Sequence, residues 1–293
     1  MRITENMRAI HALSSAQGAA SRLDRASRVA STGLRVEAPS DDPAAYSRMV
    51  SADARLARIA ARSSGLDRVS SDLETAEGTL ASAGDLVVRA RELALQMSNG
   101  SLSASDRKAA AEEVRSLRNT LIGLANTRGA TGYLFGGTRT DQPPVDASGN
   151  YQGNAGNLHV EVADGVVADA SASGANAFSI AGGRDPFAEL AALATALDAN
   201  DVATVQTSLT NLDAVFEQLV DARADAGTKI DRFRSASQYA DDAKLAVDKE
   251  RADAVEADAP TAYSELTVAQ AAYERSLTVT QKLLAISTMN RGG

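Results

Sequence analysis

The 293-residue sequence contains no cysteine and no tryptophan, and phenylalanine and tyrosine together make up only 4% of it. Without cysteine there is no disulfide framework, no thiolate metal site and no cysteine nucleophile. Large globular cores draw much of their buried area from aromatic rings. A chain so poor in them, yet 44% hydrophobic and rich in alanine, points to thin, elongated helical bundles instead. Basic charge is also short: 30 Lys and Arg against 38 Asp and Glu leave a net charge of −8. That balance argues against a nucleic-acid partner, which would call for a basic footprint. No apolar run approaches the ~20 residues of a membrane span, so no membrane insertion is expected. The opening Met1-Arg2-Ile3-Thr4-Glu5-Asn6-Met7 lacks the apolar stretch of a cleavable signal peptide, so export would use another route.

Only six prolines occur, and they fall in a few places: 39 and 43, 143 and 144, 186, and 260. The proline-free stretches 44–142 and 187–259 leave room for long helices. Those stretches carry heptads. Ala52, Ile59, Leu66, Leu73, Leu80, Val87 and Ala94 recur at intervals of seven, and Ala76, Ala83, Ala90 and Met97 form a second stripe three residues on. Together they make the 3,4 alternation of a coiled-coil seam. The pattern returns in Val202, Val205, Leu209, Leu212, Phe216 and Leu219 and runs on through Ala226, Ile230 and Phe233 towards Val247 and Ala254. A shorter helix reads Ala110, Val114, Leu117, Leu121, Leu124. Asp42-Pro43 and Asp185-Pro186 are helix starts, with a capping carboxylate before proline at the first helical position. Asn99-Gly100 is a helix stop, and Ser103 with Asp106 is a capping box. So short a connection predicts an antiparallel helical hairpin.

From about 139 to 185 the helical period disappears into Gly, Asn, Asp and Ser. Leu158, Val160 and Val162 alternate before Asp164-Gly165 and Val166-Val167, which predicts a β-hairpin. Phe178 and Ile180 suggest another strand. The two chain ends form the remaining unit: Ile3, Ile10, Leu13, Ala20, Leu23 and Ala30 make one amphipathic helix. Tyr273, Leu277, Thr280 and Leu284, with Val279, Leu283 and Ile286 beside them, make another. Residues 1–36 carry six Arg against Glu5 and Asp24, a net of +4, while 241–293 carry nine acids against six bases, a net of −3. Such complementary ends can pair within or between subunits.

No catalytic constellation emerges. Asp41 and Asp42 are adjacent carboxylates, but beside Ser40 and Pro43 they serve as helix caps. Gly227-Thr228-Lys229 has the residue types of a phosphate loop in the wrong order. His11 and His159, the only histidines, lack further donors at ligand spacing. Gly136-Gly137 falls far short of a dinucleotide fingerprint. An enzyme, a metal site and a bound cofactor are therefore not expected.

Several segments, in order, resemble the flagellin superfamily, and most closely its hook-associated protein 3 family. They are Met1-Arg2-Ile3-Thr4; Gly33-Leu34-Arg35-Val36 with Ala38-Pro39-Ser40-Asp41-Asp42-Pro43-Ala44-Ala45; Arg91-Glu92-Leu93-Ala94 with Asn99-Gly100 and Asp106-Arg107; and Leu124-Ala125-Asn126-Thr127. Tyr133-Leu134-Phe135-Gly136-Gly137 favours hook-associated protein 3 over filament flagellin. Tyr151-Gln152-Gly153, Tyr263-Ser264-Glu265-Leu266-Thr267 and Ala272-Tyr273-Glu274-Arg275-Ser276-Leu277 also match. The tail Ser287-Thr288-Met289-Asn290-Arg291-Gly292-Gly293 departs from the family's apolar ending.

The expected fold is mainly α: an elongated helical bundle or coiled coil from both chain ends, with a small inserted β-rich domain. The expected division is 1–42 plus 255–293 as a terminal coiled coil, 43–138 plus 187–254 as a helical rod, and 139–186 as the insertion. The resemblance implies a subunit of the bacterial flagellum, outside the cell, exported through the flagellar type III channel with a dedicated chaperone. It further implies a homo-oligomeric ring joining hook to filament, with the first hook-associated junction protein and filament flagellin as partners. Expected subunit contacts are Ile3, Ile10, Leu13, Leu23, Leu34, Tyr273, Leu277, Val279, Leu283, Leu284 and Ile286. Filament flagellin and a non-flagellar coiled-coil scaffold are the alternative readings.

Overall fold

The structure is a computed structural model and describes residues 2–289; the side chains at 2–6, 9, 284 and 286–289 lie outside that description. Two compact units are present, one from residues 1–58 and 244–293 and the other from 59–243. Each is mainly helical, as the heptads predict.

The first unit pairs α1 (Arg2–Thr32) with α7 (Ala259–Met289). The two run antiparallel, with the Thr280 hydroxyl donating to Ala12 O at 3.5 Å. Where α1 ends, Gly33 takes φ +72°, a left-handed conformation that costs glycine little. The chain then crosses its own return path. Arg35 N and Val36 N donate to Val255 O, Ala257 N donates to Gly33 O, and the Arg35 guanidinium reaches Ala254 O at 2.9 Å. Beneath this stitch Val36, Ala45, Ala254 and Val255 form a small buried cluster. Two helices begin and end there: α2 (Pro43–Met97) and α6 (Val202–Val255). Asp42 caps α2 by accepting from Ala44 N and Ala45 N, as the Asp-Pro pair predicts.

In the second unit α2 and α6 run antiparallel, marked by pairs between Arg91 and Asp213, Glu77 and Arg223, and Glu74 and Arg234. These exposed pairs orient the helices more than they stabilise them, at about 0.2–1 kcal/mol each. Stability comes from the seam. All seven heptad residues from Ala52 to Ala94 are buried, and so are Ala76, Ala83, Ala90 and Met97. On α6 the heptad is corrected at two positions, Ser208 standing in the seam instead of Leu209 and Val215 instead of Phe216. The seam runs Val205, Ser208, Leu212, Val215 and Leu219, so Phe216 lies off it, partly exposed and against Gly84.

The Asn99-Gly100 turn and the Ser103–Asp106 capping box launch α3 (Ala104–Ala125), which packs on α5 (Pro186–Asp198). The insertion between them holds two small hairpins: β1 (Arg128–Gly129) with β2 (Gly132–Tyr133), and β3 (His159–Ala163) with β4 (Val166–Asp169). Asp164-Gly165 turns the second, as predicted, with Gly165 at φ +74°. The strand expected at Phe178 and Ile180 is instead a short helix, α4 (Gly174–Phe178), followed by a 3-10 turn (Ile180–Gly182). Ser173 explains the difference, because its side chain accepts from Asn176 N and starts a helical turn.

Arg107 closes the far end of this unit. Its side chain is buried, and no carboxylate among the described residues forms a salt bridge with it. The guanidinium donates instead to Met97 O, Asn99 O, Leu102 O and the Asn200 side chain. The negative end of the α2 macrodipole thus serves as its counter-charge. Asn200 itself is the one described non-glycine residue at positive φ, so the same guanidinium holds both helical turns. Replacing Arg107 with methionine is expected to strand these acceptors and cost about 3 kcal/mol. Urea unfolding measures it; a loss below about 1 kcal/mol would show the knot to be dispensable.

Candidate subunit interface

The seam of the terminal helix pair is built from small side chains. On α1 it is Ala12, Ala16, Ala19, Leu23, Ala26 and Ala30, a strict 4,3 alternation of buried or half-buried residues. On α7 the facing stripe is Ala262, Leu266, Ala269, Tyr273, Ser276, Thr280 and Leu283. Alanine lets helix backbones approach closely but removes little apolar area from water.

Leu23 apart, the larger aliphatic side chains in the N-terminal half of α1 lie outside that seam. Met7, Ile10 and Leu13 are 53, 65 and 54% exposed, and on α7 Val268, Leu277 and Val279 are exposed as well. The residues expected at subunit contacts therefore divide. Ile10, Leu13, Leu277 and Val279 are free on the surface, whereas Leu23, Leu34, Tyr273 and Leu283 are half-buried within the unit. Ile3, Leu284 and Ile286 fall outside the described side chains.

Residues 33–42 form a polar elbow beside this pair. Pro39 and Ser40 are exposed at its tip. The Asp41 carboxylate accepts from Glu37 N and Ala38 N and faces Arg25 of α1 at 3.7 Å. Asp42 accepts from Ala45 N and Ala44 N and meets Arg35 at 3.4 Å. The hydrogen bond from Ala38 first, and that from Ala45 for its neighbour, hold both carboxyls below their ordinary 3.8.

In the other unit, the Tyr133–Gly137 segment anchors the insertion. Phe135 is fully buried, edge-on to Phe178 at 5.0 Å, and Phe178 stacks on Phe187 at 6.0 Å. Leu134, Gly136 and Gly137 are buried beside it, and Arg128 lies over the Tyr133 ring at 4.3 Å. The Phe135 carbonyl accepts from the Tyr151 hydroxyl at 2.7 Å, and burial pushes that phenol up to about 12. A Cβ at Gly174 would collide with the same carbonyl, so only glycine fits there. This cluster holds the loops in place and offers no reactive group. Among the described residues, no group of three or more His, Cys, Asp or Glu side chains could hold a metal ion, and no helix is long and apolar enough to cross a membrane.

Residues 3–140 match the bacterial flagellin N-terminal helical region. The fold is similar to that of a flagellar hook-associated protein from Vibrio parahaemolyticus, at TM-score 0.68 and 26% identity, over 74% of this chain and 100% of that one. Just under half of the chain thus carries the helical region of the flagellins. Two further solved structures share the fold. FlgL of Xanthomonas campestris has TM-score 0.60 and 22% identity, over 67% of this chain and 98% of that one. Hook-associated protein 3 of Legionella pneumophila has TM-score 0.60 and 16% identity, over 68% and 96%. No curated protein sequence gives a significant match. In its N-terminal region and in its fold the chain is thus similar to structural components of the bacterial flagellum.

The stripe Ile3, Ile10, Leu13, Ala20, Leu23 and Ala30 expected from the sequence shares only Leu23 and Ala30 with the observed seam. The missed signal was the unbroken 4,3 spacing of Ala12, Ala16, Ala19, Leu23, Ala26 and Ala30. The elbow carboxylates also make a measurable claim. Because their folded values are depressed, the stability they contribute is complete above 3.8 and disappears as pH falls through the folded values. Asp42→Asn keeps the cap but removes the titration. Its helix signal, followed by circular dichroism from about pH 5 down to about pH 2, is expected to fall less steeply than that of the parent chain. An identical acid limb would show that Asp42 contributes nothing to it.

Proposed function

We propose that the chain forms the ring that joins hook to filament, using its terminal helices as the contact elements. The observation that carries this reading is the inversion on α1. Small residues face its partner helix, while Met7, Ile10 and Leu13 face outwards. A helix pair held by an alanine seam is marginal alone, since isolated helices gain little in water without further packing. Neighbouring subunits supply the missing apolar surface, and the pair then becomes fully ordered. Hook on one side and filament on the other are the partners this position requires, and an export chaperone would cover the same stripe before assembly.

In this reading residues 1–42 and 255–293 make the assembly contacts, 43–138 and 187–254 form a helical rod, and 139–186 is an inserted domain. The chain acts by packing and catalyses nothing. Passage through the flagellar export channel delivers it outside the cell.

The contact residues can be separated from the fold. Ile10→Ser with Leu13→Ser removes exposed side chains, so monomer stability should shift by less than about 0.5 kcal/mol. Motility and recovery of the chain in purified flagella should nevertheless be lost. Normal incorporation of a stably folded double variant would remove this stripe from the interface. Immunogold labelling with antibody against residues 139–185 places the subunit. A band at the hook–filament boundary agrees with the ring; label along the whole filament would make the chain a flagellin.

A further inference from the structure

The turn between α2 and α3 holds Asn99 and Gly100, both exposed. Asn99 is the only asparagine in the chain that glycine follows. Its carboxamide oxygen accepts from Ser101 N at 3.1 Å and from the Ser101 hydroxyl at 2.9 Å. The first of these bonds makes an Asx-turn, which folds the side chain back over its own following peptide link and sets Cγ beside the Gly100 nitrogen. Both donors polarise the carboxamide and are placed to stabilise negative charge that develops on its oxygen. The Asn99 Nδ2 group has no partner among the described residues, and neither has the Gly100 N–H. A polarised electrophile, an unbonded nucleophile and an unbonded leaving group thus share one turn. Gly100 has no side chain to obstruct the approach.

Arg107 lies on the main-chain side of the same residue. Its Nη2 donates to Asn99 O at 2.8 Å, and Leu102 N donates to that oxygen at 3.2 Å. The carbonyl is one of the neutral acceptors around a guanidinium that forms no salt bridge among the described residues.

We propose that Asn99 is a site of spontaneous deamidation, and that Arg107 directs the product to isoaspartate. Gly100 N gives up its proton and bonds to Asn99 Cγ. The Cγ–Nδ2 bond breaks, ammonia leaves with that proton, and a five-membered succinimide ring closes. Water then opens the ring. Attack at the former side-chain carbon gives aspartate. Attack at the former main-chain carbon, whose oxygen the guanidinium polarises, gives isoaspartate. The main chain then runs through the old side chain, one methylene longer, and the oxygen that faced Arg107 becomes part of a free carboxylate. The buried cation so gains a charged partner in place of a carbonyl dipole, and the bond between them is strengthened. Water is the only co-reactant, and nothing is oxidised or reduced. The chemistry is independent of the ring-subunit reading.

The full-length chain is incubated at mildly alkaline pH, folded and in urea, and then digested with trypsin. Mass spectrometry of the peptide 92–107, with fragmentation, places the change at Asn99 and separates isoaspartate from aspartate. The folded chain is expected to convert at least as fast as the unfolded one and to give a larger share of isoaspartate. Ser101→Ala should slow conversion severalfold in the folded chain and leave the unfolded rate nearly unchanged. Gly100→Ala is accommodated by the fold, because a Cβ there meets nothing within 4 Å, and its crowded nitrogen should close the ring far more slowly. A folded chain that converts severalfold more slowly than the unfolded one overturns the proposal, since the fold would then protect the site. So does a Ser101→Ala rate equal to that of the parent chain. An isoaspartate share the same in both states overturns the directing role of Arg107.

Discussion

Close approach of helices through alanine governs the terminal unit. Ala12, Ala16, Ala19 and Ala26 permit α1 and α7 to touch along a narrow line, and that line removes little apolar surface from water. The unit therefore folds with Met7, Ile10, Leu13, Val268 and Val279 still exposed. In the other unit the same heptad logic is filled with leucine, valine and phenylalanine, from Leu66 through Leu80 to Leu212 and Phe233. Its seams are complete without a neighbour. The contrast in side-chain volume between the two seams separates a part whose heptads are filled within one chain from a part that leaves apolar side chains exposed.

Polar groups divide along the same line. In the larger unit, buried polar side chains have defined partners, save that the Nε of Arg62 is buried without one. Asp72 accepts from Ala130 N, Thr131 N and the Thr131 hydroxyl, and Gln218 donates to Ala177 O and Arg184 O. Each fixes a loop against a helix, because an unpartnered buried group would be costly. Around the elbow of the terminal unit the charged groups are exposed, and their bonds are worth less. They shape a surface.

Much of this was legible in the sequence because it depends on period and on caps. Heptads fixed the helix seams, and Asp42-Pro43, Ser103–Asp106 and Asp185-Pro186 marked three helix starts that the structure places where expected. Long-range packing was not legible. Nothing local says that Phe216 leaves its stripe to lie over Gly84, or that Ser173 bends a strand-like segment into a helical turn. The exposed stripe of α1 was seen, but as a face for its partner helix as much as for other chains. Only the observed alanine seam assigns Ile10 and Leu13 to the outside.

The pairing of α1 with α7 also sets an order in time. The hydrogen bond from Thr280 to Ala12 closes a span of 268 residues, the longest-range side-chain contact described. Closing so long a loop is entropically unfavourable and waits on residues made long after α1. While the chain is synthesised, α1 has no partner of its own until α7 is made, and the larger unit can condense first from nearer contacts. Helix α1 is therefore made early and matched late. For that interval its outward stripe and its alanine face are both available to whatever meets them.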